Sequence, residues 1–375
     1  MDSVLRAFAP NRPADFRRAA TLAANFARRH GWHGLNLGIP VFMLGYTAMA
    51  GLLCLWFGHG LDFRPMLYFP SFYSVYLLGL SIFAALIGMR HFSGRSGRSF
   101  LWFPRVWRPE DFLRSLITAA PFLLTWPFFM SGFTAVKTLL NDVLPFSWDT
   151  TFMAIGKELH FGLHPWQWLD IENPVITRAL ESIYAFWGVL LVAVPFAVVM
   201  QRAGGQARSR FLISLILIFI LLGNIAAGAF MSAGPFWFHF TGAKHDDYAG
   251  LFAYLMQADP NGDFSAVNFQ RYLWQAYLQG ATHIGTGISA FPSIHVAVAT
   301  LYALHAWPLG RLPRIAATTF LVLIMVGAVH LGWHYAVDCY AGLLGAVLIY
   351  GAVVAIQRWY ARTAPAEAAV QSAPA

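Results

Sequence analysis

Charge is what this chain has least of. Only 11% of its 375 residues are Asp, Glu, Lys or Arg, while 58% are hydrophobic. A soluble domain carries about a quarter charged residues, so this chain has too little polar surface to cover itself in water. Cysteine is scarce as well: Cys54 and Cys339 are the only two and both fall inside apolar runs, so neither a disulfide framework nor a cysteine metal site follows. The first 37 residues are basic and contain no early apolar stretch, which argues against a cleavable secretory signal. The Ala- and Pro-rich end from Ala361 reads as a disordered tail. The net charge of +8 does not point to nucleic acid, because the arginines are scattered through short loops between apolar runs and do not gather on a foldable soluble module.

What the chain does have is long hydrophobic runs. Stretches of roughly the 20 residues needed to cross a bilayer recur near 38–57, 68–89, 113–135, 181–200, 211–231, 291–308, 314–332 and 335–357. They predict an all-α membrane protein of about eight transmembrane helices, with Trp and Tyr placed at the run ends as in an interfacial belt. One set of loops carries eighteen of the 25 Lys and Arg residues. The opposite set carries only Arg64, Lys137, Lys157, Arg178, Lys244 and Arg271, although it includes the two longest loops. The Arg-rich side is therefore expected to be cytoplasmic, with both termini there. Loops 136–180 and 232–290 then face outward. The first contains Phe152, Ile155 and Leu159 at helical spacing, which predicts an interfacial helix roofing a site or packing as an ordinary outer loop. The expected organisation is a basic cytoplasmic segment (1–37), two additional helices with a cytoplasmic loop (38–112), a six-helix core with both outer loops (113–357) and a cytoplasmic tail (358–375).

Two short blocks carry chemistry. The first, Phe291-Pro-Ser293-Ile294-His295, opens the sixth run. Pro292 suits a first helical turn, and the N–H groups of Ser293, Ile294 and His295 would then be unpaired donors at a helix start, a phosphate site reinforced by the helix dipole. His295 stands where it could protonate an ester oxygen. The second, His334-Tyr-Ala-Val-Asp338, opens the eighth run. Four residues apart on a helix, Asp338 would reach the His334 ring and fix its tautomer, making the other nitrogen a better nucleophile or base. Two crossings separate the blocks, so topology returns them to one face. An ionisable residue at membrane depth is expensive and usually functional.

With Pro292-Ser293-x-His295 followed by His334-x-x-x-Asp338, the chain resembles the type 2 phosphatidic acid phosphatase superfamily. The Phe-Pro-Ser-x-His form and the His-Tyr-x-x-Asp-x-x-Ala-Gly342 ending look most like its inositol phosphorylceramide synthase branch, whose Pro-Pro-Trp-like block has a degenerate match in Pro235-Phe-Trp237. The resemblance covers about 113–357 and implies a lipid phosphatase or phosphotransferase of a bacterial-type inner membrane, active at the outer leaflet. It implies that His334 forms a phosphohistidine, that Asp338 orients it, that His295 protonates the leaving oxygen and that Ser293 and nearby N–H groups hold the phosphate. Its partners would be a lipid phosphate, the bilayer, and water or a polyol or sugar hydroxyl as acceptor; no metal or other cofactor is implied. Two features of the family are missing from this reading. No Lys-x6-Arg-Pro block is evident, and the Ser-Arg pair expected before the nucleophile falls on Gly327 and Ala328. A phosphate in a poorly solvated site needs counter-charge, and Lys244, His245 and Arg271 are the candidates.

Other readings compete. His330, His334 and Asp338 could form a metal set. Ser293 could act as a nucleophile, although no nucleophile elbow surrounds it. A proton-coupled transporter would need further ionisable residues along a path to the cytoplasm, and the sixth to eighth runs hold few.

Overall fold

The computed structural model describes residues 35–92, 109–201, 205–241, 247–258 and 266–363, and every regular element among them is helical. Two helices come first, α1 (Leu35–Trp56) and α2 (Phe69–Phe92). The long α3 (Pro109–Val143) follows, then the short α4 (Asp149–Leu159) and α5 (Pro165–Leu169). Next come α6 (Pro174–Val199) and α7 (Gln206–Ala229), the latter π-helical over Ile218–Ala226. Two more short helices, α8 (Ala249–Ala258) and α9 (Ala266–Leu278), precede α10 (Ile294–Ala306), α11 (Arg311–His330) and α12 (Ala336–Thr363).

Six of these are long and apolar enough to cross a membrane: α1, α3, α6, α7, α11 and α12. The second and sixth predicted spans form as the shorter apolar helices Phe69–Ala85 and Ile294–Leu309. The architecture is thus the all-helical membrane protein expected, with α3 continuing well past the end of the predicted third span.

Aromatic packing joins the first two helices to the rest. Trp126, Phe129 and Phe219 are buried between α3 and α7, with Trp126 stacked on Phe129 at 5.3 Å between ring centroids. The Tyr46 hydroxyl of α1 donates to the Asn224 side-chain oxygen within the π-helical turn, so a buried amide in the bundle gains a partner from α1. Helix α10 packs against both α11 and α12.

The contact between α10 and α12 is unusually close. A Cβ placed on Gly342 would collide with the carbonyl oxygen of Ser293. Glycine at this position lets one helix lie against the backbone entering the other. Across the same seam the Ser293 N–H donates to the Asp338 carbonyl at 3.0 Å. These contacts set the two motif blocks side by side.

Candidate active site

Ser293 is the N-cap of α10, its hydroxyl accepting from the Val296 N–H at 3.4 Å. Pro292 therefore sits before the cap, joined to Phe291 by a cis peptide bond, and not in the first helical turn as the sequence suggested. Ser293 is completely buried. Its N–H donates to the Asp338 carbonyl and its hydroxyl oxygen accepts the Val296 N–H, and Ser293 is not among the residues that line the cavity described next. Ile294 and His295, the first two residues of the helix, do line a cavity.

The second block also departs from the helical reading. Helix α12 begins at Ala336, so His334 lies just before it, and Asp338 is the third helical residue. The Asp338 carboxylate turns back to accept the Tyr335 N–H at 2.9 Å, as an acidic residue does in a capping box. The nearest partner of His334 is a main-chain one: Nδ1 lies 2.8 Å from the Ala290 carbonyl oxygen and 3.5 Å from Asp338 Oδ2. A carbonyl only accepts, so Nδ1 carries a proton, and in the neutral ring Nε2 keeps the lone pair. The tautomer that the sequence assigned to Asp338 is fixed first by Ala290, with Asp338 in support.

The two imidazoles meet, with ring centroids 5.8 Å apart. His295 is held between Tyr184 and Trp187 of α6, at 4.6 and 4.2 Å between centroids, and the Trp187 indole N–H donates to the His295 carbonyl at 3.2 Å. Both histidines line one cavity of about 960 Å³, at the upper end of the usual ligand-pocket range of about 300–1,000 Å³.

Among the described residues the Lys or Arg that lines that cavity is Lys137 of α3, and none of the described ion pairs involves it. Sequence reasoning had left it as an outer-loop charge. A signal was present, however. Lys137 and Pro145 hold the spacing of the Lys-x6-Arg-Pro block, with Leu144 standing where the arginine would be. Arg271, by contrast, is exposed on α9, donates to the Met256 sulfur at 3.6 Å and does not line the cavity. Lys244 and His245 lie outside the described residues.

A second residue missed from sequence is Asp149, at the start of α4. Its buried carboxylate accepts the N–H groups of Ala233 and Gly234 at 2.9 and 2.8 Å and the Tyr335 hydroxyl at 2.9 Å. Burial pushes this carboxyl up from its usual range, and these donors pull against that shift. The same strand of backbone meets the first block: Ser232 accepts the Ala290 N–H through its carbonyl and the Phe291 N–H through its hydroxyl. Asp149 thus braces the Ala290 carbonyl from one side and Tyr335 from the other. Of the predicted apolar stripe on α4, Phe152 stacks on Phe291 at 4.5 Å, while Ile155 and Leu159 are exposed.

His330, His160 and His164 are engaged elsewhere. His330 Nε2 lies 2.9 Å from the Thr177 hydroxyl, and no group of three or more metal-binding side chains is assembled among the described residues. His160 contacts the Gly156 carbonyl and the Tyr340 hydroxyl. His164 faces Asp247 at 3.3 Å.

A sequence model of the PAP2 superfamily matches residues 150–352. The chain belongs to the PAP2 superfamily. Membership supports an enzyme of the phosphatase type and accounts for the two blocks, both of which fall inside the matched residues. Neither a curated protein nor a solved structure matches the chain.

Proposed function

We propose that the protein is a lipid phosphatase or phosphotransferase working through a phosphohistidine on His334. The observation that carries this reading is the Ala290 carbonyl on His334 Nδ1, which makes Nε2 the lone-pair nitrogen of the neutral ring, in a cavity shared with His295 and Lys137. In the first step Nε2 attacks phosphorus while the ester P–O bond breaks, and His295 gives its proton to the departing oxygen. In the second, water or an acceptor hydroxyl attacks the phosphohistidine, His295 takes the proton, and Nε2 is released. Asp338 stabilises the positive charge that develops on His334. Lys137 and the N–H groups of Ile294 and His295 at the start of α10 oppose the charge on the phosphoryl oxygens.

With Lys137 the one Lys or Arg lining the cavity among the described residues, a donor of lower charge is favoured, a phosphodiester whose head group is transferred as in inositol phosphorylceramide synthases. The distribution of Lys and Arg supports cytoplasmic termini and a site at the outer face of a bacterial-type inner membrane. The decisive experiment supplies the purified protein with radiolabelled lipid phosphate monoesters and diesters and traps acid-labile label on the chain. Wild-type protein is expected to hold label and His334→Ala to hold none and turn nothing over. Full activity in His334→Ala would overturn the mechanism.

A further inference from the structure

Helix α4 is too short to cross a bilayer, yet it runs beside one that can, α12. Contacts along the two helices keep step. Asp149 accepts the Tyr335 hydroxyl just before α12, a Cβ built on Gly156 would lie 3.8 Å from Val337, and His160 Nε2 lies 3.0 Å from the Tyr340 hydroxyl. Tyr340 stands about 6 Å inside α12, at roughly 1.5 Å per residue. The end of α4 is therefore carried past the start of a membrane span. Tyr340 also heads an exposed stripe on α12 with Leu344, Val347 and Leu348, the lipid-facing side of that helix.

At this depth the chain turns back. Phe161 and Gly162 have φ of 57° and 87°, a left-handed conformation that glycine adopts freely and a bulky aromatic residue rarely does. It leaves Phe161 at the tip of the turn, 88% exposed. Its ring lies 6.1 Å from that of Trp168, which with Leu159 and Leu163 extends the exposed apolar surface. A turn in water can leave its N–H groups to the solvent; this one does not. The N–H groups of residues 160–164 all donate, four to carbonyls of the same turn and the last to the Gln167 side chain. His160 has a partner on each ring nitrogen, and the Trp168 indole N–H donates to the His160 carbonyl at 2.8 Å. Internal pairing of this kind is what hydrocarbon demands of a backbone.

We propose that the turn between α4 and α5 is a membrane anchor, entering the leaflet on the imidazole side of the bilayer beside α12, with Phe161 and Trp168 against lipid. The occupant of this surface is lipid because the surface continues the exposed stripe of a membrane span, and because burial of its apolar side chains there is favourable. The same helix carries Asp149 and Phe152 at its other end, so the anchor fixes the depth at which those residues brace the site. The inference does not depend on the phosphate-ester reading.

The test attaches a polarity-sensitive fluorophore to introduced cysteines in full-length protein held in phospholipid nanodiscs. Cys54 and Cys339 are buried, and labelling of the wild type gives the background. Phe161→Cys is compared with Phe186→Cys, exposed midway along the spanning helix α6, and with Glu172→Cys, exposed in the loop before it. The label on Phe161→Cys should emit to the blue of that on Glu172→Cys. Doxyl-bearing phospholipids should quench it as they quench the label on Phe186→Cys, while dissolved iodide, which quenches the label on Glu172→Cys, should spare it. Iodide quenching equal to that of Glu172→Cys would overturn the proposal. So would a label shielded from both quenchers, which would put a second copy of the chain over the turn. If Phe161→Cys does not fold, the same comparison on Trp168→Cys decides.

Discussion

The Tyr335 hydroxyl donates to the Asp149 carboxylate over 2.9 Å, joining the neighbour of His334 to a helix 186 residues earlier in the chain. With the Ala233 and Gly234 N–H groups on the same carboxylate, this bond ties the start of α4 to the backbone that aims His334. Replacing Asp149 by Asn leaves buried donors short of acceptors, and Tyr335→Phe removes one donor only. Asp149→Asn is expected to lower stability by about 1–3 kcal/mol, and both variants to lower kcat more than KM, since a small displacement of a reacting group can cost about a hundredfold. Thermal unfolding with steady-state kinetics checks this; an unchanged kcat in both would dissociate the network from catalysis.

His295 is assigned proton delivery to the leaving oxygen, and that assignment has its own signature. His295→Ala should slow release of an alkyl alcohol by about a hundredfold or more. A p-nitrophenyl phosphate ester, whose leaving group needs no proton, should be slowed far less. Equal slowing of the two substrates would argue for a different role.

Lys137 should contribute through charge. Lys137→Met is expected to reduce kcat/KM about ten- to a hundredfold, the worth of roughly 1.5–3 kcal/mol for a bond to a charged group. Lys137→Arg should recover part of that loss. The fold should tolerate either change, because none of the described ion pairs involves Lys137. Arg271→Ala, exposed and off the cavity, is the comparison that should stay near wild type.

His164 sits at the start of α5, where burial lowers its pKa, Lys157 adds to that shift and Asp247 opposes it. A histidine with a folded pKa below its unfolded value of about 6.5 resists protonation in the native state. Its neutral form contributes stability above that pH, and the contribution is lost as pH falls below about 6.5 toward the folded pKa. Unfolding midpoints measured from pH 7.5 to 5 should decline more steeply for wild type than for His164→Asn. Parallel curves would show that His164 titrates as it does in the unfolded chain.

Hydrophobic runs located the long helices because a bilayer demands some 20 apolar residues, although the helices extend past several of the run ends. They also placed His295 and His334 on one face, since two crossings must return the chain to the side it left. Register at helix starts was less legible. Both Pro292 and His334 look helical by spacing, yet capping by Ser293 and by Asp338 moves each outside its helix. Lys137 was hidden by a predicted span that stopped at 135, whereas α3 continues to Val143 and carries the lysine into the cavity. Asp149 could not have been found locally, because its partners are main-chain N–H groups and a phenol far away in sequence.

The seam at Gly342 has a wider implication. Where main chain rests on main chain, the spacing of the two imidazole rings depends little on which side chains line the rest of the cavity. Residues of α2 and α3 that line the cavity can then change while the two rings keep their spacing. In variants that keep this glycine, substitutions in that lining should leave the imidazole pair in place.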